Sequence, residues 1–113
     1  YGKITLDECT AILLDNVEAD QLIVTNSVIE IKHSHFKNSA DAMTVNNSVV
    51  MMTSSQIEGR VHLNNARVDI AGSTFTLERP FIIEAESRLV LTTNKAGKTR
   101  YLHDDVKRKA TTY

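Results

Sequence analysis

Apolar residues recur along this chain in short pairs separated by one residue. Five such pairs end at positions spaced 25, 21, 18 and 21 residues apart, namely Ile4-Thr5-Leu6, Ile29-Glu30-Ile31, Val50-Met51-Met52, Val68-Asp69-Ile70 and Leu89-Val90-Leu91. A small residue stands three positions after each pair, in the order Cys9, Ser34, Ser55, Ser73 and Asn94. An apolar residue stands five positions after each pair, in the order Ala11, Phe36, Ile57, Phe75 and Ala96. This agreement indicates an internal repeat of about twenty residues.

A second apolar motif precedes each of the last four units. It occurs as Leu22-Ile23-Val24, Met43-Thr44-Val45, Val61-His62-Leu63 and Phe81-Ile82-Ile83. Such alternation is typical of a strand, because successive side chains of a strand point to opposite faces. Frequent Val, Ile and Thr, with Ser and Asn every few residues, disfavour a helix. Each unit is therefore predicted to hold two or three short strands, and only residues 11–20 and 101–109 could form a brief helix.

Units of this length are too short to enclose a core alone. They become stable when the strands of one unit pair with the strands of the next. The sequence therefore predicts an all-β solenoid of about five coils over residues 3–97, followed by a charged C-terminal cap or tail over residues 98–113. The predicted core column consists of Leu6, Ile31, Met52, Ile70 and Leu91.

Asparagines occupy one recurring position, two residues past the second motif. They are Asn26, Asn47 and Asn65, with Ala85 at the equivalent place in the last unit. Asparagine tolerates a left-handed backbone bend, and strands of a sheet lie about 4.8 Å apart. We therefore expect these three residues to form a structural ladder of stacked amides. One extra residue between Ile83 and Leu89 predicts a local distortion near Ala85.

The coil period, the inward apolar pairs and the stacked asparagines resemble those of the right-handed parallel β-helix superfamily, the pectate-lyase-like fold. The resemblance covers about residues 3 to 97 and concerns the fold pattern alone. It implies a short right-handed parallel β-helix. The polysaccharide-cleaving branches of that fold use clustered Asp residues with Ca²⁺, or paired Asp residues as acid and base. No such cluster is apparent on the predicted coils, so no catalytic residue is predicted.

Composition restricts the classes of partner. Thirteen basic and fourteen acidic residues give a net charge of −1, which supplies no field for holding nucleic acid. No apolar run approaches the roughly 18 residues of a transmembrane helix, so membrane insertion is not expected. The single cysteine, Cys9, excludes an intrachain disulfide and is expected to be buried. The chain begins with Tyr1 rather than Met, so its compartment stays open.

Four polar side chains are candidate binding residues. His33 and His35 lie two positions apart on a predicted strand, where they could hold a metal with a third ligand such as Glu8. The preferred interpretation is that both are ordinary exposed histidines, and neither a metal nor a cofactor is predicted. Gln56 and Thr74 lie on predicted outward faces, where they could hydrogen-bond a glycan. The basic run 107–109 is interpreted as a solvated end.

The favoured function is a non-catalytic structural or interaction module, a rigid β-solenoid that serves as a spacer, an assembly unit or a surface-binding unit. The ends of a solenoid expose unpaired strand edges, so we expect self-association through those ends or by lateral packing. The alternative is a carbohydrate-binding or polysaccharide-degrading β-helix domain.

Overall fold

The strands follow one another around a coil, so that each turn of the chain lies against the turn before it. The computed structural model describes residues 2–108 and 111–113, apart from the side chains of residues 38, 39 and 108. Within these residues, 14 strands form one continuous sheet and no helix is found. The sheet is wound into a parallel β-solenoid of about five turns, which confirms the predicted all-β solenoid.

The first two turns run through β1 (Lys3–Asp7), β2 (Ile12–Asp15), β3 (Glu18–Ala19), β4 (Gln21–Thr25), β5 (Val28–Lys32) and the start of β6 (His35–Asn46). The next turns continue through β7 (Val49–Thr53), β8 (Gln56–Asn64), β9 (Arg67–Ala71), β10 (Thr74–Phe75), β11 (Phe81–Glu84) and β12 (Ser87–Ala96). The chain ends with β13 (Arg100–Arg108) and β14 (Thr111–Thr112). The two segments that could have formed a brief helix are extended where the structure describes them, because residues 11–20 contain β2 and β3 and residues 101–108 lie in β13.

Each turn contributes strands to three faces. The first face contains β1, β4, the second half of β6, the second half of β8, and β11. The second face contains β2, β5, β7, β9 and the first half of β12. The third face contains β3, the starts of β6 and β8, β10, and the end of β12. All of these pairings are parallel, as the repeat predicts.

The core column runs along the second face. Ile31, Met52, Ile70 and Leu91 pair directly from turn to turn, and each is at most 2% exposed. These four members were predicted in the right order. Alternate side chains of a strand point inward, so equal positions of successive strands stack into one apolar file.

Leu6 is the exception, and its assignment to the column was wrong. Leu6 pairs with Val24 on the first face, whereas Leu14 pairs with Ile31 and heads the column. The first turn carries apolar alternation on both β1 and β2, so the pattern itself does not distinguish the two. The predicted spacing between the first two members of the column was 25 residues, from Leu6 to Ile31. In the structure the spacing is 17 residues, from Leu14 to Ile31.

Two further inward files complete the core. On the first face, each apolar pair of the second motif stacks on the pair in the next turn, so Val24, Val45, Leu63 and Ile83 form one file. On the third face, Phe36, Ile57, Phe75 and Ala96 stack as predicted, but Ala19 rather than Ala11 begins the file. The Phe75 and Phe81 rings meet edge to face, with centroids 5.0 Å apart.

The predicted left-handed bends occur at the first corner, between the first and second faces. Asn26, Asn47 and Asn65 each have φ of 48°, and Ala85 has φ of 54°. The Asn26 amide donates to the Asn46 carbonyl and the Asn47 amide to the Asn64 carbonyl, at 3.1 and 2.9 Å. The asparagine side chains are exposed. In the described residues, the hydrogen bonds found at this corner join backbone groups and serine hydroxyls, rather than the side-chain amides of successive asparagines.

Buried serines form the polar ladders of this solenoid. At the second corner, between the second and third faces, the Ser34 amide donates to Ser55 Oγ and the Ser55 amide donates to Ser73 Oγ, both at 3.1 Å. The ladder ends where the Ser73 amide donates to Asn94 Oδ1 at 2.9 Å. Ser27 and Ser48 act in the same way at the first corner. A serine hydroxyl or, in the last turn, the Asn94 side-chain oxygen therefore accepts from a buried backbone amide, which explains the recurring small polar residue from Ser34 onwards. Cys9 lies at the first corner instead, where its amide donates to Ser27 Oγ.

The C-terminal segment reverses direction and lies along the last turn. β13 pairs antiparallel with β12, with a register shift between Leu91 and Asn94, and β14 pairs antiparallel with β11. Leu102 and Val106 of β13 are 1% and 3% exposed. The Tyr113 hydroxyl donates to Asp104, and the Arg100 guanidinium lies 4.5 Å from the centre of the Tyr113 ring. The inward side of the last turn is therefore covered by the chain itself.

The difference between Ile31 and Leu6 can be tested by substitution. Ile31→Asp places an unpaired charge in a fully buried file, so we expect it to unfold the domain. Leu6→Asp places the same charge at the half-exposed start of a file, so we expect a folded domain with a smaller loss of stability. Urea denaturation followed by circular dichroism measures both variants. Equal losses of stability would contradict the register described above.

Candidate functional site

The two candidate histidines do not share a face. His33 lies at the second corner with φ of 50°, and its Nδ1 is 3.3 Å from Asp15 Oδ1 in the turn before. His35 begins the third-face part of β6 and forms a hydrogen bond with Glu58 in the next turn. Glu8, considered as a third ligand, lies at the first corner instead. In the described part of the chain, no group of three His, Cys, Asp or Glu side chains could hold a metal ion.

Three of the four candidate binding residues do come together. His35, Gln56 and Thr74 occupy the same outward position of the third face in successive turns. Gln56 and Thr74 line a shallow groove of about 350 Å³, together with Glu58, Thr76 and Lys98. The groove therefore presents an amide, hydroxyls and both signs of charge to solvent.

A second polar cluster lies on the first face around His62. His62 Nε2 is 2.6 Å from Asp41 Oδ1, and His62 Nδ1 is 3.6 Å from Glu84 Oε1. Arg60 Nε lies 3.2 Å from Asp41 Oδ1. The hydrogen bond from His62 lowers the pKa of the Asp41 carboxyl, and the charges of His62 and Arg60 act in the same direction against the effect of burial. The cluster ties three successive turns together.

A larger groove lies at the first corner near the C-terminal end, beside the extra residue of the last unit. Its volume is about 930 Å³, and its lining includes Asn47, Asn65, Arg67, Arg88 and Lys107. The three cations are neighbours on β9, β12 and β13, but carboxylates offset their charge. Arg88 forms hydrogen bonds of 3.1 and 2.8 Å to Asp105 and holds the pKa of that carboxyl below its usual value. Arg67 Nε lies 3.6 Å from Asp69 Oδ1.

Of the basic run, only Lys107 can be placed in full. It lines the groove just described, whereas the Arg108 side chain and the whole of Lys109 lie outside the described residues.

The outward side of the second face carries an apolar patch. Leu13, Val28 and Met51 are 52%, 44% and 43% exposed, and they surround a hollow of about 250 Å³ with Glu30 on its wall. Glu30 is itself paired with Lys32, at 3.5 Å. The patch is therefore small and interrupted by an ion pair.

The two ends of the solenoid differ sharply. At the start, the first turn leaves Ile4, Leu6, Ile12 and Leu14 only half-buried, although their successors in each file are buried. β1 pairs only with β4 and β2 only with β5 in the described chain, so one edge of each is unpaired. We name this surface, formed by β1 and β2 with these four side chains, the open end. Cys9 beside it is half-buried rather than buried, and its thiol donates to the Asp7 carbonyl at 3.4 Å.

The open end was anticipated only in general terms. Its four aliphatic side chains follow the same alternation as the buried ones, so periodicity does not reveal that they lack a neighbour. The Asp41 and His62 cluster was missed for another reason: the two residues are 21 positions apart and meet only because successive turns stack.

The fold defines the chain as a parallel β-solenoid protein. No protein-family model, curated protein or solved structure was found to match the chain. No helix in the described residues is long and apolar enough to cross a membrane.

The lowered pKa of Asp41 predicts a pH-dependent contribution to stability. A carboxyl whose pKa is lower in the folded state stabilises the fold above the unfolded pKa, and the contribution is lost as pH falls through the folded pKa. Asp41→Asn should therefore reduce the free energy of unfolding near neutral pH, by at most about 1 kcal/mol because the pair is partly exposed. The difference from the unmodified chain should shrink as the pH falls below the ordinary aspartate pKa of 3.8 and through the lower pKa of the folded state.

Urea denaturation at several pH values measures this effect. Asp20→Asn is the control, since Asp20 makes no ion pair with the described residues. A loss of stability in Asp41→Asn that stays constant from neutral to acidic pH would contradict the assignment.

Proposed function

We propose that this chain is a non-catalytic structural module, a rigid β-solenoid that assembles through its open end. The observation that carries the proposal is the difference between the two ends. The first turn leaves aliphatic side chains half-exposed beside unpaired strand edges, whereas β13 and β14 cover the last turn.

The physical argument concerns both the backbone and the side chains of the open end. An unpaired strand edge presents amide and carbonyl groups that can pair with another strand. Burying the part of each of these four aliphatic side chains that is still exposed would contribute roughly 0.5 to 1 kcal/mol per side chain. Association at this surface would therefore extend the sheet and the core together, as stacking of turns does inside the chain.

The contacts of the histidines support a structural role. His33, His35 and His62 are each bonded to a carboxylate in a neighbouring turn, namely Asp15, Glu58 and Asp41. Such cross-strand pairs stabilise a sheet. Each of these histidines thus has a partner that accounts for its position.

We further propose that the solenoid belongs to the right-handed, pectate-lyase-like type. The support is the short coil, the stacked inward apolar pairs and the left-handed asparagines at successive turns.

The assembly proposal predicts concentration-dependent association. Sedimentation velocity from low micromolar to submillimolar concentration should show oligomers of the unmodified chain. Leu6→Asp should abolish them, because it places a charge at the open end. Met51→Lys is the control, since Met51 lies on the outward side of the second face. A chain that stays monomeric throughout contradicts the proposal, as does association lost with Met51→Lys but kept with Leu6→Asp.

A second candidate function is binding of a neutral or weakly charged glycan. The observation that favours it is that Gln56 and Thr74 line one groove, where their amide and hydroxyl groups could hydrogen-bond sugar hydroxyls. A glycan array screened with the chain should then give hits that Gln56→Ala reduces about tenfold or more, in line with the loss of a hydrogen bond. Thr53→Ala on the second face is the control. An array without hits removes this candidate.

A further inference from the structure

The sequence of β1 is self-complementary when it is read in opposite directions. The strand is Lys3-Ile4-Thr5-Leu6-Asp7. If two copies run antiparallel with Thr5 opposite Thr5, then Lys3 faces the partner's Asp7 and Ile4 faces the partner's Leu6. Residues directly opposite each other in an antiparallel pair have neighbouring side chains on the same face of the sheet. This single register matches charge with opposite charge and apolar with apolar.

The side-chain orientations in the chain agree with this register. Lys3, Thr5 and Asp7 are exposed, whereas Ile4 and Leu6 point towards the core and are half-buried. The ion-pair distances found in the described residues include neither Lys3 nor Asp7, so both charges remain available to a partner. A slip of one residue would place inward side chains opposite outward ones, and a slip of two would separate the charges.

The other end of the same solenoid shows that its turns accept antiparallel neighbours. There β13 pairs antiparallel with the full length of β12, and β14 with β11. A two-fold axis perpendicular to the solenoid axis would bring two first turns together with opposite chain directions. The open end would then be closed by antiparallel strands, as the last turn is closed by its own chain.

Stacking the open end of one copy on the last turn of another fits less well. The inward aliphatic side chains Leu102 and Val106 at the last turn are almost fully buried. Neither of these two side chains offers apolar surface to cover Ile4 and Leu6. The two ends are thus not complementary, whereas the open end is complementary to itself.

We propose that the partner of the open end is a second copy of this chain, joined head to head about a two-fold axis through Thr5, with the two β1 strands antiparallel. This inference rests on the proposed function, because it names the partner of the same surface. The pairing uses both open ends, so association stops at the dimer. Two symmetry-related ion pairs between Lys3 and the partner's Asp7 fix the register.

Paired charge reversals test the register. Lys3→Glu places two acidic side chains opposite each other, and Asp7→Lys places two basic ones, so each variant alone should dimerise about tenfold more weakly or worse. In an equimolar mixture every facing pair is again oppositely charged. The mixture should therefore recover dimers in sedimentation velocity. Lys98→Glu, the same charge change near the other end, should dimerise like the unmodified chain.

A crosslink provides a second measurement, which reports the strand register directly. In a Cys9→Ser background, Thr5→Cys should form a covalent dimer on mild oxidation, because opposite residues of an antiparallel pair lie within disulfide reach. Lys3→Cys is the control, since the two copies of residue 3 lie at opposite ends of the paired strands. Non-reducing electrophoresis should show a covalent dimer for the first variant only.

The outcomes separate this inference from the proposed function. Association that Leu6→Asp abolishes, but that the charge-reversed mixture fails to restore, overturns the Thr5-centred dimer and leaves the assembly role intact. Oligomers larger than a dimer overturn the head-to-head arrangement in the same way. A chain that never associates overturns both proposals.

Discussion

Parallel pairing between successive turns is the constraint on which the rest of this structure depends. Each strand pairs with the strand one turn away, so a side chain finds its equivalent directly above and below it. A shift of one residue would turn the whole apolar file outwards. The core column from Leu14 to Leu91 and the serine ladder from Ser34 to Asn94 both follow from this register. The register in turn is held by those buried side chains, because a slip would place hydroxyls in the aliphatic files.

The corners explain how so short a repeat can turn tightly. Residues with left-handed backbone conformation recur at both corners. Beside the bend, a buried serine hydroxyl accepts a hydrogen bond from the backbone amide that the bend leaves unpaired. Serine suits this position because it is small and carries both a donor and an acceptor. At the first corner, asparagines supply the bend itself, and their side chains are exposed. Bending and hydrogen bonding are thus divided between adjacent residues.

The functional proposals follow from where this stacking stops. Inside the solenoid each turn covers the turn beside it. Among the described residues, the first turn has a neighbouring turn on one side only, so its other side stays exposed. The last turn avoids the same exposure because the chain reverses and β13 covers it. The two ends of the solenoid are therefore different, because the last turn is covered by antiparallel strands and the open end is not covered by the described residues. The proposed assembly therefore rests on the open end rather than on a pocket.

The sequence by itself determined the coil. Apolar alternation with a recurring small residue was sufficient to place Ile31, Met52, Ile70 and Leu91 in one column, because strand periodicity is a local property of the backbone. Only the tertiary structure decided that Leu14 and not Leu6 heads that column, that Asp41 meets His62, and that one end is covered. These features depend on which turn lies against which, and residues about twenty positions apart carry no local signal of their contact. The physical reason is that strands with similar local patterns can pair with one another in several ways. The pairing that forms is selected by contacts between residues far apart in the sequence.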